Sequence, residues 1–314
     1  MYELDANDYH APFFLKSMFV KVFLIAFVFN ALAFLSFRIT VSPDNLSPIF
    51  PDVGFAFAAV LIVGYKSLYG VWLGSFMANM FSFWDVCKML DKTLLETILS
   101  SCTVATGVVI AVAVSVYLLN MLNKGEYPLK TGLSVIQFLT VSVLYCGFSS
   151  LLCVLAISFW GLSEPNTIMS NWITLWQGDL IGTVLISPFI LSLFYRHHIK
   201  KILTSILEAV LLVLATIFVC LLIAFNNPNS IFLFVLVMIW AAFRFRIRGV
   251  SALASMFALL SSVYGYLGYG SFVEIDSEDS LIYVNSFYGL VTLIALIASG
   301  YYSDYLHKKS DIEY

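Results

Sequence analysis

Ten runs of predominantly apolar residues, at 17–37, 48–64, 67–84, 93–119, 131–160, 172–195, 202–225, 230–245, 248–268 and 281–303, constrain this chain most. About twenty apolar residues in a helix match the hydrocarbon thickness of a bilayer. In lipid the backbone must satisfy its own hydrogen bonds, and runs this continuous select helices over the alternating pattern of a barrel. With 61% hydrophobic and 11% charged residues and a mean hydropathy of +0.94, the chain has too little polar surface for a soluble domain. The predicted fold class is an all-α polytopic transmembrane bundle over 17–304, with short tails at 1–16 and 305–314.

The cations alternate between the predicted loops. Lys16, Lys21, Lys66, Lys124, Lys130, Arg196, Lys200, Lys201, Arg244, Arg246, Arg248, Lys308 and Lys309 fall on one side, and only Arg38, Lys88 and Lys92 on the other. That bias predicts both termini on the cytoplasmic side. Ala31-Leu32-Ala33 imitates a signal-peptidase site, but hydrophobicity continues through Phe37 without a polar break, so cleavage is not expected.

Within this pattern Asp179 stands out. It lies seven residues into the run that starts at Trp172, where an ionised carboxylate costs roughly 2.5 to 3.5 kcal/mol. Trp172, Trp176, Asp179 and Thr183 share one helical stripe, which should therefore face protein or a wet cavity. Gly178 and Gly182 border the acid, and Pro188 removes one backbone hydrogen bond beyond it. Those three are candidate gating or packing positions. Both a structural pair with a lysine or arginine and a functional role are open for Asp179.

Asp52 follows Pro51 at the start of the second run and would favour the positive end of that helix, near the outer surface. Gly54, Ala58 and Ala59, then Gly70, Gly74 and Ala78, are small residues at spacings that let membrane helices approach closely. Asn79 needs a partner, from another helix or from a ligand. The candidate ligand-binding set is thus Asp52, Asn79, Trp172, Trp176 and Asp179. Glu96 and Gln137 fit interfacial and interhelical roles, the Tyr264, Tyr266 and Tyr269 group fits an aromatic belt, and the basic turn at Arg244, Arg246 and Arg248 fits lipid headgroups or a cytoplasmic partner.

Three motifs resemble a known family. Pro51-x-x-Gly54 with Gly64-Tyr-Lys and Leu73-Gly74-Ser-x-x-x-Asn79, then Trp176-x-Gly178-Asp179-x-x-Gly182-x-x-x-x-x-Pro188, and later Trp240-Ala-Ala-x-Arg244 are similar to segments of MASE1, a bacterial membrane-associated sensor domain. The resemblance implies an inner-membrane sensory module that usually precedes a cyclase, phosphodiesterase, kinase or phosphatase domain. No such domain follows the last span here, so the expected output lies with a separate signalling partner.

The residues exclude much else. No GxxxxGK[ST], HExxH or CxxC occurs, and no gap between runs is long enough for a soluble catalytic domain, so no enzyme, cofactor or metal site is predicted. His197 and His198 sit in a basic run that reads as a membrane-surface patch. Four of the five cysteines lie in spans, so no disulfide framework is expected. No nucleic-acid footprint is present. Two functions remain: a membrane sensor that reads a small ligand and passes the signal to a partner, or a small-molecule transporter or its substrate-binding subunit. Oligomeric state, a homodimer included, stays open.

Overall fold

A computed structural model of the chain describes residues 17–38, 49–194, 206–224, 232–266 and 278–312. These fold into ten α-helices: α1 Met18–Arg38, α2 Pro51–Val63, α3 Leu68–Met89, α4 Leu94–Leu122, α5 Gly132–Phe159, α6 Ile168–Phe194, α7 Ile206–Ala224, α8 Leu233–Arg244, α9 Arg246–Tyr266 and α10 Glu278–Ile312. No strand occurs among the described residues. The basic run around His197 and His198, the loop after α1 and most of the acidic loop before α10 lie outside them.

Five segments, Met18–Ser36, Leu94–Leu122, Gly132–Phe159, Pro165–Phe194 and Ser286–Leu306, are long and apolar enough to cross a membrane. Their surfaces are apolar as well. Phe19, Phe23 and Phe27 project from one face of α1, and Phe81 and Phe159 are more than 70% exposed, an arrangement that lipid rather than water accommodates. Two of the ten expected spans are much shorter than a bilayer crossing: α2 has 13 residues and α8 has 12.

Local signals explain the helix ends. Pro51 opens α2, where its missing N–H costs nothing, and Gly64 at φ +86° lets the chain reverse into the 3-10 turn Tyr65–Ser67. Thr93 and Glu96 form a reciprocal capping box at the start of α4, with Lys92 Nζ 3.7 Å from the Glu96 carboxylate. Glu96 is thus a helix-capping residue. The first turn of α5 is closed by Thr131 and Ser134, each accepting the other's backbone N–H, while Gly132 N–H donates to Asp304 Oδ2 at 2.8 Å. A carboxylate from α10 therefore completes the cap of a helix 172 residues away.

The described residues divide into two compact units. The first holds α1 to α4 with Thr140–Thr183. Its small residues pack as expected in kind but on other partners: a Cβ at Gly70 would meet Val22 O and Ile25, and one at Gly74 would meet Phe29 and Ala26, so both serve the α1–α3 contact. Asn30 adds a hydrogen bond across it, Nδ2 to Gly74 O at 3.0 Å. Phe83, Cys87, Val104 and Ala156 form a buried cluster among α3, α4 and α5. Trp72 and Trp160 donate to Thr106 and Thr103 of α4, at 3.2 Å each.

The second unit holds Tyr127–Leu139 and the chain from Val184 onward. Its centre is an aromatic triad, with Phe257 4.3 Å from Phe234 and 4.4 Å from Tyr288 between ring centroids. Ser255 donates to Leu185 O at 2.7 Å, tying α9 to the end of α6. Arg244 does not stand free at its basic turn: its guanidinium makes a two-point contact with Glu208 of α7, Nη2 to Oε1 at 2.7 Å and Nε to Oε2. Arg246 takes φ +57° and is half-buried where α8 turns into α9, and Arg248 is exposed.

Candidate functional site

The site is built where two backbones cross in the first unit. A Cβ at Gly54 would collide with Gly182 O and crowd Thr183 Cα at 3.0 Å; one at Gly182 would collide with Phe50 O and sit 3.1 Å from Pro51 N. Phe50 N–H donates to Gly178 O at 3.2 Å. Only glycine leaves room for contact this close. Gly54 and Gly182 are therefore the surfaces through which α2 and α6 touch, with the Gly178 carbonyl beside them accepting from Phe50. Pro188 lies farther along α6, which runs unbroken from Ile168 to Phe194.

This crossing places the start of α2 against the middle of α6. Asp52 is 8% exposed, and its neighbours Phe50, Pro51 and Gly54 pack on residues 178–182, which are the eleventh to fifteenth of α6. Asp179 is 6% exposed and lies deeper in its helix than expected, because α6 begins at Ile168 rather than Trp172. The contacts of Phe50 with Gly178 and of Gly54 with Gly182 bring the segments that carry the two acids together. Among the described residues neither acid has an ion-pair partner. Asp52 Oδ1 is buried and accepts no hydrogen bond.

Helix α5 closes the crossing. Tyr145, fully buried, donates its hydroxyl to Val53 O at 3.2 Å and stacks on Phe57 at 4.9 Å. The Cys146 thiol donates to Thr183 Oγ1 at 3.3 Å. Tyr145 and Cys146 escaped the sequence reading, since an aromatic and a cysteine in an apolar run look like ordinary core; the small and hydroxyl-bearing surroundings Gly147, Ser149 and Ser150 were the available signal.

The remaining candidates separate from this centre. Trp172 and Trp176 stack at 5.8 Å, and their indole N–H groups donate to Gly147 O and Val143 O of α5 at 3.0 and 3.2 Å. The stripe carrying Asp179 thus faces protein, and its indoles brace α6 on α5. Asn79 finds its partners neither on another helix nor in this site: Nδ2 donates to Ser75 O at 2.8 Å and Ser75 Oγ at 3.2 Å, one turn back in α3. A short polar side chain one turn from a carbonyl satisfies itself locally. Among the described residues no three His, Cys, Asp or Glu side chains gather as a metal-holding group.

A protein whose described residues are all helical, with apolar helices long enough to cross a lipid bilayer and two acids buried at a backbone crossing, is a membrane protein. The MASE1 family model matches residues 21–304, and the chain belongs to that family of membrane-associated sensor domains. Neither the curated proteins nor the solved structures contain a match.

Proposed function

We propose that this chain is the sensing domain of a bacterial signalling system in the inner membrane, reading a small ligand at the Asp52–Asp179 crossing and passing a helix shift to a signalling partner. The observation that carries the reading is the crossing itself: two buried carboxyls without a cationic side chain, in a domain of a sensor family. Intramembrane acids are expensive and therefore mark function by default. A ligand at this point touches α2, α5 and α6 together, and it biases their arrangement by its differential affinity for two states. The charge bias of the loops supports cytoplasmic termini, with the Lys66 and Arg246 turns on the same side. The test is crosslinking in native membranes, mild-detergent purification and mass spectrometry. A cyclase, phosphodiesterase or kinase recovered with the chain is the expected result.

One observation favours transport as the second reading. Two short apolar helices, α2 and α8, each lead through a basic turn into a longer helix, and short hydrophobic segments in both halves of a chain are a pointer to transporter sites. Recovery of an energy-coupling ATPase or a coupling subunit in the same experiment would replace the sensor reading with this one.

A further inference from the structure

We propose that the Asp52–Asp179 crossing is a seat for a hard metal cation, held by the two carboxylates and neighbouring oxygens. The proposal rests on the reading of that crossing as the sensing site and names the class of ligand it takes.

Charge balance is the starting point. A carboxyl withdrawn from water is made tolerable by N–H donors and the positive end of a helix, which Asp52 has in part in the first turn of α2, and otherwise by a proton, a cationic side chain or a bound cation. Among the described residues no lysine, arginine or histidine reaches either acid. Two acids that meet directly share one proton through a hydrogen bond between them. Asp52 and Asp179 form no such bond, although the contacts of Phe50 with Gly178 and of Gly54 with Gly182 bring their segments together. Asp52 Oδ1 accepts from no donor at all in a site more than nine-tenths buried. An acceptor oxygen without a donor, in the same buried crossing as a second carboxyl, is what a bound cation satisfies.

The donor set fixes the class. Tyr145 spends its proton on Val53 O, so its oxygen keeps lone pairs for a third contact. Cys146 is engaged with Thr183, and no histidine is present, leaving oxygen as the ligand type. Oxygen donors select hard cations over the softer transition metals. A divalent ion neutralises both carboxylates, and a monovalent ion does so together with one proton. With no third acid, histidine or thiol, further coordination falls to the hydroxyl and to backbone carbonyls, as where helix ends line a buried ion site.

The experiment is thermal unfolding of the purified full chain in detergent with NaCl, KCl, MgCl2 or CaCl2, each against N-methyl-D-glucamine chloride at equal ionic strength. At least one metal chloride raises the unfolding midpoint in a saturating manner, by on the order of 2–4 °C. Asp52→Asn and Asp179→Asn abolish that rise, and Tyr145→Phe, which keeps the ring and its packing, raises the half-effective concentration by about tenfold. A wild-type midpoint that is the same in all five chlorides overturns the proposal, as does a rise that survives undiminished in Tyr145→Phe and in either Asn variant that folds. The arm that responds identifies the ion's charge. A flat response with a cyclase or kinase still recovered by crosslinking removes the cation and leaves the sensor reading standing.

Discussion

At the residue scale the decisive positions are the ones without side chains. Gly182 lies against the Phe50 carbonyl and Pro51 nitrogen, and Gly54 against the Gly182 carbonyl, so an added methyl meets backbone that has no rotamer to give. Overpacking costs about 1–3 kcal/mol where side chains can yield, and the upper end applies here. Gly182→Ala should therefore lower the unfolding midpoint by several degrees, read by thermal unfolding in detergent; a variant indistinguishable from wild type would show that α2 and α6 are not in backbone contact. Trp176→Phe makes a second prediction. It keeps the stack on Trp172 and loses only the indole hydrogen bond to Val143 O, a cost of about 1 kcal/mol. An unchanged ligand response in that variant is expected if the indole braces α6, and a lost response would return Trp176 to the binding site. Asp179 was legible in the sequence because a carboxylate in an apolar run is rare and costly. That Asp52 meets the same site was not, because the partner of Gly54 is 128 residues away and hydropathy carries no information about which small residue faces which.

At the element scale the ten helices were legible and their depths were not. Hydrophobic runs and caps such as Pro51 fix where helices start, yet the sequence treats 48–64 as one more crossing, whereas Pro51 trims it to thirteen residues whose first turn is buried. Helix α6 began four residues early for the opposite reason: the polar stretch Ser163 to Asn171 reads as loop, but Asn171 and Thr167 hydrogen-bond among themselves and let the 3-10 turn Pro165–Thr167 run into the helix. Element ends also reveal how α5 is held. Its Gly132 N–H is capped by Asp304, and Gly300 packs on the same residue, with Gly132 Cα 3.0 Å from where a Cβ at Gly300 would sit. Asp304→Ala should cost about 1 kcal/mol, the usual price of a lost cap. The measurement is hydrogen exchange, with faster exchange confined to the first turn of α5 as the expected pattern; uniform destabilisation along α10 instead would mean that Asp304 matters to its own helix. The Arg244–Glu208 contact joins α7 to α8 in a comparable way, and its two-point geometry identifies the pair as a specific link rather than a lipid anchor.

At the scale of the whole molecule, the loop cations bear on orientation, and the orientation proposed from them is open to a direct test. Of sixteen lysines and arginines, thirteen fall on loops of one parity, and positive residues near span ends are retained on the cytoplasmic side. This parity depends on α2 and α3 together forming a hairpin whose turn, Tyr65–Ser67, carries Lys66, and on α8 and α9 forming another at Arg246. A short α2 that entered and left by the same face would invert every later loop, so topology tests the hairpin as well as the orientation. The experiment is cysteine labelling in intact spheroplasts with a membrane-impermeant maleimide, in a background where the five native cysteines are replaced by serine or alanine. Single cysteines at Lys66 and Lys124 should label only after permeabilisation, and one at Asn166, in the turn before α6, should label in intact cells. Labelling of Lys66 in intact cells, with Asn166 labelled only after permeabilisation, would mean that α2 enters and leaves by the same face while α3, α4 and α5 still cross. That result would leave the Asp52–Asp179 crossing in place and move its mouth to the other face of the membrane.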